Sequence, residues 1–183
     1  MPLLQAPLAA ILGAGPAGLM AAEVLSAAGV EVHVYDAMPS AGRKFLLAGK
    51  GGLNLTHSEP LPSFIERFGE QAAVVGDWLH DFGPQAVRDW AAGLGVGTFV
   101  GTSGRVFPTE MKAAPLLRAW LHRLRHPGAP GAVPVRFHMR HRWVGWEDAA
   151  ATPETIAAGA GQASAGGLFV FESPAGRVGV APA

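Results

Sequence analysis

The segment from Ala9 to Asp36 constrains the fold of this chain more than any other part of the sequence. A short apolar run at its start leads into a turn with three glycines, then into a helix-like stretch that reaches Ala28, and then into a second apolar run from Val30. Two parallel strands need a crossover connection, and a helix is the usual one. The sequence therefore predicts an α/β fold that begins with a strand, a glycine turn, a helix and a second strand.

The turn between the predicted strand and helix reads Gly13-Ala-Gly-Pro-Ala-Gly18. In a dinucleotide-binding turn the first glycine allows the tight bend, the second lets the backbone approach a diphosphate, and the third lets the helix lie close on the strand. Gly13, Gly15 and Gly18 occupy these three positions. Pro16 and Ala17 begin the helix, whose unpaired N–H groups and positive dipole end favour an anion. We predict that these five residues bind the diphosphate of a cofactor.

The second predicted strand ends in an acid, Asp36, which Ala37 follows. An acid at this distance from the turn accepts hydrogen bonds from a ribose 2′-hydroxyl and disfavours a 2′-phosphate, because two negative groups would meet. We therefore predict that Asp36 and Ala37 lie beside the cofactor ribose. The alternatives are a glycine-rich turn of another α/β protein and a membrane span over residues 8–28, but Pro16 and Glu23 argue against the span.

Composition limits the functions that are open to the chain. With 183 residues, 49% of them hydrophobic, and no formal net charge, it resembles a soluble globular protein with one core and a small second lobe. It has no cysteine, which excludes disulfides, thiolate metal sites and redox-active thiol pairs. Any electron transfer would then need a bound cofactor. The first basic residue is Arg43, so the basic region of a signal peptide is missing and we expect a cytoplasmic protein.

A second glycine-rich segment runs from Gly42 to His57 and reads GRKFLLAGKGGLNLTH. Its backbone N–H groups and its cations can close over a phosphate or a flavin. A flexible surface loop with solvated cations explains the same composition, because glycine mainly brings conformational freedom. The residue types alone leave these two interpretations open.

The glycine turn, Asp36, the loop Gly42–His57 and the later segment Gly104–Pro108 together resemble the BaiN-like (aminoacetone-oxidase-type) bacterial flavoproteins. Those proteins belong to the glutathione-reductase-type flavoproteins with two dinucleotide-binding domains. The resemblance covers about residues 9–146 and is specific in the loop. Members of that family continue well beyond this length. The resemblance therefore implies that the FAD-binding sheet is incomplete at the C-terminal side, or that this is a reduced protein that binds the ADP half of the cofactor.

The resemblance implies an FAD-binding oxidoreductase that acts on a small-molecule substrate, with NAD(P)H as a candidate reductant. It places two groups of residues near FAD, beyond those of the turn and Asp36. Gly42, Arg43 and Lys44 would lie near the cofactor, and Gly51, Gly52 and Asn54 would lie beside the flavin.

Three further residues of the loop bear on its chemistry. Leu53 stands where many members of the family have cysteine, so a thiol cannot act there. Lys50 and His57 are the titratable side chains that we would test first at the flavin. No catalytic acid or base is assigned, because flavin chemistry belongs to the cofactor.

Helices and a hairpin are predicted for the middle of the chain. Large apolar residues recur at three- and four-residue spacings between Ser58 and Leu94 and predict helices with a packed stripe. That stripe contains Phe64, Phe68, Val75, Trp78, Leu79, Phe82, Val87 and Trp90. Residues 98–108 predict a short hairpin around Ser103-Gly104, and residues 113–125 predict an amphipathic helix that ends before Pro127.

The last third of the sequence predicts strands. Apolar and polar residues alternate from Val135 to Trp143, as in one half-buried strand, whereas residues 149–167 are rich in Ala and Gly and predict a linker. Strands over 168–172 and 177–180 would complete a three-stranded antiparallel meander. The predicted divisions are a βαβ unit with the flavin loop, a helical insertion with its hairpin, a return helix and strand, the linker, and a β-hairpin, with bounds 1–57, 58–110, 111–148, 149–167 and 168–183.

Other kinds of site are less well supported. Six arginines between Arg118 and Arg142, with aromatic residues among them, would suit nucleic acid, but the zero net charge argues against it. His122 and His126 lie four residues apart on a predicted helix, yet no nearby carboxylate or cysteine completes a metal site. Ser40 and Ser103 lack the nucleophile elbow of a hydrolase.

Three functions therefore remain open for the chain. It is an FAD-dependent oxidoreductase or the N-terminal portion of one, an NAD-binding module, which the same βαβ unit permits, or a non-enzymatic truncated remnant that interacts with a partner. We expect no nucleic-acid partner, no membrane association and no bound metal.

Overall fold

The structure is a computed structural model, and it describes residues 3–4, 9–48, 51–147 and 167–180. The chain divides into two compact units. Residues 1–43 and 124–183 form the first unit, and residues 44–123 form the second. The predicted linker, apart from Gly167, and Lys50 lie outside the described residues. The predicted bounds 57, 110, 148 and 167 mark motifs rather than compact units and stay a prediction.

The described residues contain ten strands and six α-helices. The strands are β1 (Leu3–Leu4), β2 (Ala9–Leu12), β3 (Val32–Asp36), β4 (Thr56–His57), β5 (Thr98–Val100), β6 (Arg105–Pro108), β7 (Arg136–Met139), β8 (Arg142–Glu147), β9 (Leu168–Ser173) and β10 (Gly176–Val180). The helices are α1 (Pro16–Ala27), α2 (Arg43–Ala48), α3 (Leu61–Glu66), α4 (Ala72–Asp81), α5 (Pro84–Gly93) and α6 (Ala113–Arg125).

The first unit contains the predicted βαβ unit. Strands β2, β3 and β7 form a parallel sheet in that order, with Ala9 opposite Val32 and His33 opposite Arg136. Helix α1 connects β2 to β3 and buries Leu19, Ala22 and Ser26. The prediction of an α/β fold that begins with a βαβ unit is therefore confirmed, and the fold is Rossmann-like. The helix ends one residue earlier than expected, and the second strand begins two residues later.

A second sheet in the first unit contains the predicted meander. Strands β8, β9 and β10 are antiparallel neighbours, and β1 adds a parallel strand beside β10, which was not predicted. Tyr35 of β3 packs in one buried cluster with Phe171, Val178 and Val180 of this sheet. The two sheets of the first unit therefore share a core.

The prediction of one strand from Val135 to Trp143 is wrong. Strand β7 pairs with β3 of the parallel sheet, whereas β8 pairs with β9 of the meander. Between them Arg140 has a φ of 60°, a left-handed conformation that ends a strand. The alternation of apolar and polar residues in the sequence continues through this break, because residues on both sides of it face the same core.

The second unit combines helices with a small antiparallel sheet. Strands β5 and β6 form the predicted hairpin, and β4 pairs with the other edge of β6, in the order β4-β6-β5. Leu53, Ala91, Ala113 and Leu116 form a buried cluster. Helix α6 has the bounds predicted for it.

Two predictions for this unit need correction. The flavin loop is not irregular throughout, because residues 43–48 form helix α2. The aromatic stripe is not all core, because Trp78 is 66% exposed and Phe68 and Phe82 are about 41% exposed. On α4 the buried position is Gly76, where a Cβ would lie 3.3 Å from Ile65 of α3. Trp78 comes two residues later, about 200° around the helix, and so it faces away from α3.

Two features are absent from the described residues. None of the described helices is both long and apolar enough to cross a membrane. No group of three or more His, Cys, Asp or Glu side chains within the described ranges is arranged to hold a metal ion.

Candidate dinucleotide-binding site

Two glycines of the turn after β2 are required by the fold itself. Gly13 has a φ of +102°, which side-chain-bearing residues rarely adopt, and its N–H donates to the carbonyl of Tyr35 at 2.8 Å. A Cβ on Gly18 would lie 2.0 Å from the carbonyl oxygen of Gly13 and 3.2 Å from Cγ2 of Ile11. Because no side chain fits in that space, α1 can approach β2 only with glycine at this position.

Gly15 differs from its two neighbours, because neither backbone conformation nor packing requires a glycine there. Its φ of −80° and ψ of 178° suit any residue, and among the described residues beyond its two chain neighbours no atom would lie within 4 Å of a Cβ built on it. The surface beside Gly15 is nevertheless kept free of side-chain atoms. A ligand that approaches the backbone closely is a direct reason for that, and a diphosphate fits it.

Helix α1 starts at Gly15 with its first N–H groups uncapped. No side chain caps it, no acid lies in its first turn, and Pro16 at the first position has no N–H to satisfy. The amides of Ala17 and Gly18 come next, and the first N–H groups of a helix have no intrahelical partner. The positive end of a twelve-residue helix therefore adjoins the open backbone of Gly15, which is the electrostatic arrangement that binds phosphate.

Asp36 is fixed at the end of β3 by two backbone amides. One carboxylate oxygen accepts the N–H of Ala14 at 2.6 Å, and the other accepts the N–H of Met38 at 2.7 Å. Each oxygen of a carboxylate can accept a further hydrogen bond, so this group is oriented and can still bind two hydroxyls. Those are the requirements for holding a ribose.

Ala14 joins three parts of the site, and the sequence had given no reason to single it out. Its N–H binds Asp36, and its carbonyl accepts the N–H of Gly42 at 2.8 Å. Gly42 has a φ of +71° and is buried, which only glycine accommodates easily. Ala14 is apolar and only 1% exposed, so its side chain gives no indication of a functional role. Only its backbone hydrogen bonds reveal that role.

The remaining predicted residues of the first unit lie at the rim of this arrangement. The side chains of Pro16, Ala17 and Ala37 are exposed, and so is that of Arg43 where α2 begins. In the first unit the structure therefore brings together Gly13, Gly15, Gly18, Asp36 and Gly42 around the peptide of Ala14.

The predicted flavin-side residues belong to the second unit, together with Lys44, whose side chain is exposed. Gly51 has open space at its Cβ position, whereas a Cβ on Gly52, at a φ of +112°, would lie 2.8 Å from Cε of Met111. With its amide nitrogen turned toward two carbonyls, Asn54 donates to Thr56 at 2.8 Å and Val106 at 3.3 Å. The amide nitrogen of Asn54 thus binds both β4 and β6.

His57 is held by hydrogen bonds at both ring nitrogens. Its Nε2 lies 3.1 Å from the carbonyl of Ser103, and its Nδ1 accepts the N–H of Glu59 at 3.2 Å. The carboxylate of Glu59 also lies 3.4 Å from Nδ1. This side chain therefore secures the turn of the β5–β6 hairpin.

Part of the arginine-rich segment also has internal partners. Arg136 lies 3.3 Å from the carboxylate of Glu31, and the guanidinium of Arg125 lies 5.0 Å from the ring centre of Phe137. An ion pair and a cation–π contact account for these two cations without a polyanion.

A glycine turn of this geometry, with an oriented acid beside it, is typical of dinucleotide-binding Rossmann folds. The family described as HI0933-like protein Rossmann domain matches residues 8–170. The chain belongs to this family. The HI0933-like family binds FAD, so FAD is the cofactor of this Rossmann domain. A match to curated proteins was not found.

Solved structures share the fold of this HI0933-like chain. The open conformation of a flavocytochrome c3 fumarate reductase matches with a TM-score of 0.67 at 15% identity, over 97% of this chain and 32% of that one. A 3-ketosteroid-Δ4-(5α)-dehydrogenase from Rhodococcus jostii RHA1, in complex with 4-androstene-3,17-dione, matches with a TM-score of 0.57 at 14% identity, over 100% and 45%. The chain thus spans less than half the length of either protein.

Proposed function

We propose that this chain is the FAD-binding portion of a flavoprotein oxidoreductase that acts on a small-molecule substrate. The observation that carries the proposal is the open backbone at Gly15, which no internal contact or conformation accounts for. It adjoins the uncapped N-terminus of α1 and the oriented carboxylate of Asp36. The names of the two solved structures, a fumarate reductase and a dehydrogenase, are those of redox enzymes and support the class of reaction.

In this proposal different residues bind different parts of the cofactor. The amides of Gly15, Ala17 and Gly18 hold the diphosphate, and Asp36 accepts hydrogen bonds from the adenosine ribose. Gly42 keeps the turn in shape through the carbonyl of Ala14, and the resemblance to the BaiN-like flavoproteins implies that Arg43 and Lys44 lie near the cofactor. The flavin ring supplies the redox chemistry, whereas the protein binds and orients it.

Finer assignments rest on the resemblance to the BaiN-like flavoproteins. They are membership of that narrower group, the position of Gly51, Gly52 and Asn54 beside the flavin, and NAD(P)H as the reductant. The cytoplasmic location predicted from the N-terminal sequence also stays a proposal.

Titration of the purified chain with FAD, followed by calorimetry and by the absorbance spectrum, tests this function. We expect one FAD per chain. Asp36→Asn should weaken binding by roughly tenfold to a hundredfold, because a hydrogen bond to a charged group is worth about 1.5–3 kcal/mol. Asp89→Asn, which changes an exposed acid on α5, is the matched control and should bind FAD as the native chain does.

The same titration with NAD⁺ separates the alternatives. Binding of NAD⁺ without FAD would favour the NAD-binding module. A folded chain that binds neither dinucleotide would overturn the proposal and favour the non-enzymatic remnant.

A further inference from the structure

A cluster of aromatic and titratable side chains lies between the two sheets of the first unit. His33 and Tyr35 alternate along β3, and His138 on β7 stacks on both rings, with centroids 5.0 and 4.5 Å away. His141 contacts Tyr35 and His138 edge-on at 5.9 and 5.7 Å. The ring of Phe171 covers Tyr35 from β9 at 4.4 Å. We call the three imidazoles and Tyr35 the histidine cluster.

Hydrogen bonds connect the members of this cluster. Nε2 of His33 lies 3.1 Å from the carboxylate of Glu31, which accepts, so this nitrogen donates. Nδ1 of His33 lies 3.1 Å from Nε2 of His138, and the Tyr35 hydroxyl lies 3.5 Å from the same Nδ1. A hydrogen bond between two ring nitrogens contains one hydrogen, so protonation of both rings would place two N–H groups against each other.

Charged residues on neighbouring strands surround the cluster. Arg136 on β7 lies 3.3 Å from the carboxylate of Glu31, which also lies 3.1 Å from Nε2 of His33. On the meander, Arg142 and Glu172 lie opposite each other and are exposed. Burial first, and then His33, His141 and Arg136, lower the pKa of His138 to about 4. An added proton would therefore bring an unpaired positive charge into a largely buried stack.

The cluster is bonded directly to the dinucleotide site through the backbone of β3. The carbonyl of Tyr35 accepts the N–H of Gly13 at 2.8 Å, which holds the glycine turn. The carbonyl of Asp36 accepts the N–H of His141 at 2.8 Å, and the Asp36 carboxylate holds Ala14. Backbone groups of Tyr35 and His141, which both belong to the cluster, therefore hold the glycine turn and the Asp36 peptide in place.

We infer that the histidine cluster is a proton-linked positioning element for the dinucleotide site. While His138 is neutral the cluster holds Tyr35 and Asp36 in place, and a proton on His138 loosens them and weakens cofactor binding. The inference rests on the proposed function, since the affected ligand is the proposed one. By linkage, cofactor binding opposes protonation of the cluster to the same extent.

The test is FAD affinity as a function of pH, measured by calorimetry on the full chain. FAD is the probe because its diphosphate carries no group that titrates between about pH 7.5 and about pH 4. We expect native affinity to be constant from about pH 7.5 to about pH 5.5 and to fall about twofold by pH 4, where half of the His138 side chains of the folded chain carry a proton. His138→Gln keeps a side-chain N–H donor but cannot take up the proton, and its affinity should stay nearly constant with pH.

Controls separate this inference from a loss of fold. His80→Gln changes an exposed histidine of α4 and should keep the native pH dependence. Circular dichroism at each pH checks that every variant is folded. If His138→Gln does not fold, His138→Phe, which keeps the ring stack, replaces it.

The outcomes are distinguishable from those of the proposed function. FAD that fails to bind at pH 7.5 overturns the proposed function and the linkage with it. FAD that binds at pH 7.5 with the same pH dependence in the native chain and the His138 variant overturns the linkage alone.

Discussion

Gly15 and Gly18 are three residues apart, yet the structure predicts opposite effects of replacing them by alanine. At Gly15 a methyl group meets no atom within 4 Å and the φ of −80° suits alanine. Gly15→Ala should then leave the free energy of unfolding unchanged or raise it by about 0.4–1 kcal/mol, because alanine restricts the unfolded chain. At Gly18 a methyl group would lie 2.0 Å from the carbonyl oxygen of Gly13, so Gly18→Ala should lower that free energy by about 1–3 kcal/mol.

FAD affinity should respond differently from stability. A methyl on Gly15 points at the surface where we propose that the diphosphate lies, so it would lengthen at least one N–H···O contact. Loss of one charge-assisted hydrogen bond costs about 1.5–3 kcal/mol, which is about tenfold to a hundredfold in the dissociation constant. Gly15→Ala should therefore be a stable chain that binds FAD poorly.

Two measurements on the same samples check this. Urea unfolding followed by circular dichroism gives the free energy of unfolding, and calorimetry gives the FAD dissociation constant. A Gly15→Ala chain that is folded and binds FAD as tightly as the native chain would refute the diphosphate assignment. A Gly18→Ala chain of native stability would refute the close approach of α1 to β2.

The remaining predictions concern pH and a turn. The pKa of His138, about 4, lies below the 6.5 of an ordinary histidine, so its contribution is complete above pH 6.5 and is lost as the pH falls toward 4. Allowing for its partial exposure, we expect about 1–3 kcal/mol to be lost, measured by urea unfolding at several pH values. At Gly104, with a φ of +77°, a Cβ would lie 2.7 Å from the ring of His57. Gly104→Ala should lower the unfolding free energy by about 1–3 kcal/mol in the same assay.

Matched variants define what would contradict these two expectations. If His138→Gln loses as much stability in acid as the native chain, another group is responsible. Gly69→Ala is the control for Gly104→Ala, because it also has a positive φ, of +54°, but meets nothing within 4 Å. Equal losses in the two glycine variants would show that backbone strain alone acts, without the contact to His57.

The parts of the fold that sequence could predict are those set by neighbours along the chain. The turn at Gly13 and the amphipathic helix α6 depend on local spacing, and both were predicted with close bounds. Strand β4 has only two residues and exists because β6 offers an edge, so no periodicity marks it. The break at Arg140 was missed because residues before and after it face one core.

The same distinction holds for the site. The three glycines and Asp36 form a pattern with known roles, and the structure shows why Gly13 and Gly18 cannot be replaced without strain. Ala14 was missed because its contribution is a peptide group, which every residue has. His33 and His138 are 105 residues apart and meet only through the pairing of β3 with β7, so their hydrogen bond depends on tertiary structure.

The peptide of Ala14 has one further consequence. Its N–H binds the carboxylate of Asp36, 22 residues later, and its carbonyl binds the N–H of Gly42. The glycine turn is therefore held in place only when both segments are present. A peptide that ends at β3 would contain every residue of the glycine pattern and would still lack the hydrogen bond from Gly42 to Ala14. Ligand affinity in this protein should therefore depend on the segment that supplies Gly42 as well as on the glycine pattern, and changes within residues 39–42 should weaken binding by releasing the carbonyl of Ala14.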